Sequence, residues 1–291
     1  MTGASSQIGI FAIPRLVKAG FQVYAISRSG KPESFPDFSE VDWLTGQEAA
    51  QSALKYQYLL SAGPLELARK YLAENGQLKA AVVFSSSSVE SKQNSGDPRE
   101  KEQIRHMLAL ESELMQSARS GAAKLVILRP TLIYGCGLDT NISLLANWAR
   151  RFGFIPISGS AGGLRQPVHA DDLAAVAIKA LLFEAELPPV LALCGGETLT
   201  YADMAARIFK AFGRTERLLR LPEWLFVALV NTLKLFRPGS GINSEMVRRQ
   251  QLDMVYDDHQ ARELLGYSPR TFEPRAEDFI LPQLQSDQQA G

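Results

Sequence analysis

The chain is 291 residues long, 46% hydrophobic and 21% charged, enough to bury one large core or two joined ones. Thirty-one Lys and Arg balance thirty-one Asp and Glu, so no global basic field favours nucleic acid or an anionic membrane surface. The two distant cysteines, Cys136 and Cys194, and three unclustered histidines lack zinc-ligand spacing. The expectation is two small core thiols in a cytoplasmic protein without a secretory leader.

The chain opens Met-Thr-Gly-Ala-Ser-Ser-Gln-Ile-Gly, and apolar residues at Ile10, Phe11, Ile13, Leu16 and Val17 predict a helix that stops at Gly20. Phe21 to Ile26 reads as a strand. A glycine turn that opens a helix, followed by a strand, begins a dinucleotide-binding βαβ unit. Gly3 permits the tight turn, Gly9 lets helix and strand pack closely, and the helix amino end, with Ser5, Ser6, Gln7 and Ile8, faces the pyrophosphate. Only Met1 and Thr2 precede Gly3, where a sheet of order 3-2-1-4-5-6 has its central strand. Either a short apolar strand is supplied from upstream of Met1, which is the expectation, or that strand is lost.

Arg28 follows the second strand, where NAD-selecting folds place an acid. An arginine there suits a 2′-phosphate, so NADP is expected over NAD; the alternative is a solvated loop arginine. Leu65 to Leu72 reads as a helix, and Ala80 to Phe84 and Lys124 to Leu128 as uninterrupted apolar strands of the buried parallel kind. Such alternation predicts a doubly wound α/β sheet. Leu221 to Phe236 is apolar but carries Glu223, Asn231 and Lys234 and is too short to span a bilayer, which predicts a buried or partner-facing helix.

In this order the motifs resemble the extended short-chain dehydrogenase/reductase superfamily, of the NAD-dependent epimerase/dehydratase type. Thr2 to Gly9 resembles its TGxxGxxG fingerprint, with Ser6 in place of the middle glycine, which either weakens binding or donates a hydroxyl to phosphate. Asp42 and Trp43 match the third-strand pair beside the adenine, and Ala62 and Gly63 the segment under the cofactor. Ser86, in the run Ser85 to Ser88, matches the active-site hydroxyl, with Ser87 beside it on the substrate side; a capped turn is the other reading of that run. Leu128 to Gly137 resembles the sixth-strand exit, whose Pro130, Thr131 and Leu132 face the cofactor. Arg165 matches an arginine that reaches a nucleotide-sugar diphosphate, or else pairs with Asp171 or Asp172, themselves expected as helix caps.

The resemblance runs from Thr2 to about Pro274. It implies a Rossmann-type doubly wound parallel sheet, residues 1–134 plus about 166–194, and a smaller C-terminal substrate lobe, about 135–165 plus 195–285. A nucleotide-sugar or related anionic substrate would lie between them, and family members pair as homodimers through a helix that here includes residues 100–118.

The family's chemistry uses a tyrosine four residues ahead of a lysine. None of the eight tyrosines here has that partner. The expected positions fall near Gln103 and Met107, or Arg105 and Ala109, and none of these side chains takes a proton at neutral pH. His106 in the same turn and Glu90 beside the serine run are the groups left to work with Ser86. Two functions stay open: an NAD(P)-dependent epimerase, dehydratase or reductase with a non-standard acid/base, or a non-catalytic cofactor-binding sensor or assembly protein.

Overall fold

The computed structural model describes residues 1–52, 55–74, 77–121, 123–236 and 244–282; 283–285, assigned above to the lobe, lie outside them. The first half comprises α1 (Gln7–Lys18), β1 (Val23–Ser27), β2 (Val41–Thr45), α2 (Gly46–Gln51), β3 (Tyr58–Ser61), α3 (Leu65–Glu74), β4 (Ala80–Phe84), α4 (Ser88–Ser91), α5 (Pro98–Gly121) and β5 (Lys124–Pro130). There follow β6 (Ile133–Tyr134), α6 (Ile142–Phe152), β7 (Ile155–Ser158), β8 (Leu164–Arg165), β9 (Val168–His169), α7 (Ala170–Leu181) and β10 (Val190–Leu193). The chain continues through β11 (Leu199–Thr200), α8 (Tyr201–Ala211), β12 (Leu218–Leu221), α9 (Glu223–Phe236), α10 (Ser244–Arg249) and α11 (His259–Leu265) to a 3-10 turn, Ala276–Phe279.

The strands β3, β4, β5 and β10 lie side by side in that order, all parallel, and β1 pairs in parallel with β2. Thr2 joins the two groups through parallel bridges to Ile26 and Ser61. The molecule therefore runs β2-β1-Thr2-β3-β4-β5-β10, the doubly wound 3-2-1-4-5-6 order with one strand added. Burial follows from helices on both faces. Ile8, Ile13 and Leu16 of α1 meet Leu173, Val176 and Ala177 of α7 in the core on one side, and Leu65 and Ala68 of α3 meet Leu110 and Leu114 of α5 on the other. A further core, with Tyr134, Ile142, Ile155, Phe209 and Phe272, holds the lobe.

The centre of the sheet is thin. Thr2 N–H donates to the Leu60 carbonyl and Ala62 N–H to the Thr2 carbonyl, each at 3.0 Å, and the Thr2 hydroxyl donates to Ser61 Oγ at 2.7 Å. On the amino side of this bridge a cavity of about 60 Å³ separates β1 from β3, walled by Val23, Tyr24, Tyr58, Leu59 and Tyr71. The Met1 amino group is buried there, donates to the Tyr24 carbonyl at 2.6 Å, and is pushed by burial down to about 5.

A chain lengthened ahead of Met1 by about five β-branched apolar residues should fill this slot and pair with both neighbours, raising the thermal midpoint by roughly 5–10 °C. In a chain that starts at Met1 the unfolded amine, titrating near 8, binds more protons than the folded one, so stability rises with pH between about 5 and 8. Lengthening should abolish that slope; thermal scans across this range that show no change in midpoint or slope would contradict the assignment.

Candidate functional site

In a parallel sheet every strand ends on the same edge, and ligands collect in the crevice beyond the carboxyl ends. Gly3 takes a φ of +66°, and a Cβ there would lie 2.4 Å from the backbone of Ala62 and Gly63, so only glycine lets this turn press on the end of β3. A Cβ on Gly9 would stand 2.3 Å from the Ala4 carbonyl. Ser6 caps α1 by accepting from Gly9 N–H at 3.1 Å, which leaves its own O–H as a donor at the helix amino end. Ser5 leads into that cap, and Gln7 and Ile8 open the helix.

Arg28 is exposed immediately beyond β1. Asp42 and Trp43 occupy the second and third places of β2, short of its end at Thr45. Asp42 accepts from Gln22 at 3.1 Å, and Trp43 packs edge-on against Phe35 at 5.1 Å. Pro130 ends β5, Thr131 N–H donates to the Leu193 carbonyl at 3.0 Å, and the Thr131 hydroxyl donates to the Gln166 carbonyl.

Beyond this edge lies a cavity of about 470 Å³. Gln7, Ser86, Ser87, Thr131 and Leu132 form its sheet side, and Trp148, Phe226 and Val247 part of its lobe side. Gln7 Oε1 and Trp148 Nε1 are buried there with no partner among the described residues, one acceptor and one donor to offer a ligand. A carboxamide N–H suits the first and a sugar or base oxygen the second, as a nicotinamide and a polar substrate would offer; Gly3, Arg28, Asp42, Trp43, Ala62, Gly63 and Pro130 do not line this cavity. Ser86 Oγ accepts from Ser88 N–H at 3.1 Å. Tyr201 also lines the cavity, 5.5 Å beneath the Arg165 guanidinium, and burial pushes its phenol up to about 12.

The remaining sequence candidates sit elsewhere. His106 is exposed on α5 and meets Glu66 of α3 at 2.8 Å. Glu90 is exposed and receives Arg129 at 2.9 Å; neither side chain lines the cavity. Gln103 is exposed and Met107 packs against the core under α5. Arg165 lines the cavity, yet Nη1 donates to the Leu164 and Leu252 carbonyls at 2.7 Å and Nη2 to the Arg249 carbonyl at 2.5 Å. Asp171 and Asp172 pair with Arg15 and Arg270, not with Arg165. The cap of α7 is His169, whose Nδ1 accepts from Asp171 N–H at 3.1 Å.

Sequence reading passed over Lys92, Trp148, Phe226 and Arg249, which also line the cavity. They come from four separated segments and share no local motif. It also missed Glu111, fully buried on α5, which accepts from Arg129 Nε at 3.2 Å and from its Nη2. Both cysteines are buried and unpaired. Among the described residues no group of three His, Cys, Asp or Glu could hold a metal ion, and no helix is long and apolar enough to cross a membrane.

No protein-family model matches the chain. It is similar to UDP-glucose 4-epimerase of Vibrio cholerae, 23% identical over 159 residues, 55% of this chain and 46% of that protein. The match thus spans about half the length of that curated relative. Solved structures align over nearly the whole chain. UDP-N-acetylglucosamine 4-epimerase from Bacillus cereus gives a TM-score of 0.66 at 16% identity, covering 96% of this chain and 93% of that one. UDP-glucuronic acid 4-epimerase from Bacillus cereus, in complex with UDP-glucuronic acid and NAD, gives 0.66 at 18% identity, covering 93% of each. UDP-glucose 4-epimerase from Thermotoga maritima, with UDP-glucose, gives 0.63 at 16% identity, covering 96% and 95%. At these identities the likeness establishes a shared Rossmann-type α/β fold.

Proposed function

We infer that this chain, which has the fold of the extended short-chain dehydrogenase/reductase superfamily, is an NAD(P)-binding epimerase- or dehydratase-like protein that acts on a nucleotide-sugar or related anionic substrate. One observation carries the reading: the cavity opens at the carboxyl edge of the sheet, where Gln7 at the start of α1, Ser86 and Thr131 come together opposite the lobe. The curated relative, a UDP-glucose 4-epimerase, and two structural neighbours, one solved with UDP-glucose and one with UDP-glucuronic acid and NAD, support it. The bound dinucleotide would supply hydride acceptance and return. The chain's part is to hold the pyrophosphate at the amino end of α1, orient a substrate hydroxyl with Ser86, and exclude water between the sheet edge and the lobe.

Proton transfer needs a group other than the family's pair, because Gln103 is an exposed amide and Met107 a packed thioether. That same observation favours a second reading, a cofactor-binding protein without turnover. A cofactor-absorbance screen against a panel of UDP-sugars separates the two. Turnover supports the enzyme, and saturable cofactor binding with no turnover on any sugar supports the sensor. Positioned proton transfer is worth about 10² to 10⁴-fold, so loss of the pair predicts at most residual activity by the tyrosine route.

Arg28, exposed just past β1, supports NADP as the preferred dinucleotide. Arg28→Ala should lose about tenfold in NADPH affinity and little in NADH affinity, one charge-assisted contact's worth. Equal wild-type affinities for the two would contradict this preference.

A further inference from the structure

Three cations line the cavity, and two of them, Lys92 and Arg249, meet one carboxylate, Glu100. Lys92 follows α4, Arg165 belongs to β8 and Arg249 closes α10, and all three line the cavity. Glu100, near the start of α5, accepts from Arg249 Nη1 at 2.7 Å, from Arg249 Nη2 at 3.1 Å and from Ser95 Oγ at 2.6 Å. These bonds outweigh the upward push of burial and hold its carboxyl at about 2, so it is ionised at every working pH. Lys92 Nζ stands 3.7 Å from Glu100, an ion pair beyond hydrogen-bond range.

The arginines are structural struts. Arg249 commits both terminal nitrogens to Glu100, and Arg165 commits its own to three carbonyls. Asp139, a carboxylate on the wall, accepts from the Asn141 and Ser143 N–H groups and the Ser143 hydroxyl at the start of α6. Against Glu100 and Asp139, the three cations leave one positive charge in excess at a wall where Lys92 is 29% exposed and Arg249 12%. Burial pushes the Lys92 ammonium down, Arg249 adds to that push, and Glu100 only partly opposes it. Burial and Arg249 likewise pull Arg165 down. A half-buried cationic excess is unfavourable until an anion completes it.

We propose that Lys92 is the anion-contacting residue of this cavity, its ammonium meeting a phosphate oxygen of the substrate while Arg165 and Arg249 shape the wall behind it. The assignment deepens the nucleotide-sugar reading and rests on it. It moves the phosphate contact from Arg165, whose Nη atoms are held by three carbonyls, to Lys92, whose side chain is 29% exposed and whose ammonium stands 3.7 Å from its carboxylate partner. A lysine serves a phosphate as a point charge, so it tolerates several poses of a diphosphate where an arginine fork would fix one.

Calorimetric titration of the full chain with UDP-glucose and, separately, with inorganic diphosphate tests this. Lys92→Gln should weaken both about tenfold or more, the worth of one charge-assisted hydrogen bond, and Lys92→Arg should recover most of the loss. The unliganded thermal midpoint should hold in both variants, because Glu100 keeps Arg249 and Ser95. In the wild-type protein, diphosphate should also protect Lys92 from acetylation as read by mass spectrometry, a measurement independent of any variant's folding. UDP-glucose binding that is equal in wild type and Lys92→Gln, or no protection by diphosphate, overturns the role of Lys92 and leaves the nucleotide-sugar reading standing. Diphosphate binding that depends on Lys92, with no affinity for UDP-glucose or any other nucleotide-sugar, keeps the anion site and overturns that reading. Binding of neither overturns both.

Discussion

Glu111→Ala should lower folding stability by about 3–5 kcal/mol, among the largest single losses available in this chain. Glu111 is 1% exposed and holds the Arg129 guanidinium through two nitrogens, while Arg129 is itself 16% exposed. Removing the carboxylate leaves a largely buried cation with, among the described residues, only the outer carboxylate partner, Glu90. Glu90→Ala, by contrast, removes an exposed acid and should cost no more than about 1 kcal/mol. The pair ties α5 to the end of β5, two residues before Thr131, which lines the cavity, so the damage should reach ligand binding as well. Urea unfolding of the two variants measures the difference. A Glu111→Ala loss within about 1 kcal/mol of the Glu90→Ala loss would show that Arg129 finds solvent or another partner instead.

Gly3→Val should be at least as damaging, for steric reasons. The new Cβ would sit 2.4 Å from backbone atoms of Ala62 and Gly63, and a β-branched residue would have to adopt a φ of +66°. Backbone cannot yield as a flexible side chain can, so either the Gly3 turn or the end of β3 must move, and both belong to the proposed pyrophosphate site. We expect loss of soluble folded protein, or a drop of more than about 10 °C in thermal midpoint. Gly20→Ala is the control. Gly20 also has a left-handed φ, +83°, but its added Cβ meets nothing within 4 Å, so only the backbone strain of about 1–2 kcal/mol remains. Similar midpoints for the two variants would mean that crowding at Gly3 is relieved cheaply.

Much of the fold was legible because its signals are local. The apolar run Ala80 to Phe84 had nowhere to go but a doubly covered strand, and β4 takes those bounds with all five residues buried. The helix expected over Glu100 to Ala118 exists as Pro98–Gly121, and the one expected over Leu221 to Phe236 as Glu223–Phe236, with Phe226 and Val230 buried four apart and Trp224 72% exposed. Elsewhere propensity was right in kind and short in length. Lys124 to Leu128 extends to Pro130, which stands opposite Leu193 at the end of the ladder with β10.

The site was legible only where a motif sits at a strand end. Ser86 and Thr131 face the cavity because the strands before them stop at one edge. His106 shows what was overlooked. Ile104, Leu110, Glu111, Leu114 and Ala118 mark the buried stripe of α5, and at 100° per residue His106 falls on its flank, roughly 110° from the centre of the stripe. Lys92, Trp148, Phe226 and Arg249 gave no such signal, since only the folded chain brings their four segments together. The direction of Arg165 was likewise set by three carbonyl acceptors that no sequence pattern announces.

Titrating the full chain with NADPH and NADH, read by dihydronicotinamide fluorescence, asks most directly whether the carboxyl edge of this sheet is a dinucleotide site. Saturable binding with a dissociation constant in the micromolar range, about −8 kcal/mol, is the expected result, tighter for NADPH. No saturable binding of either dinucleotide up to about 1 mM would contradict it.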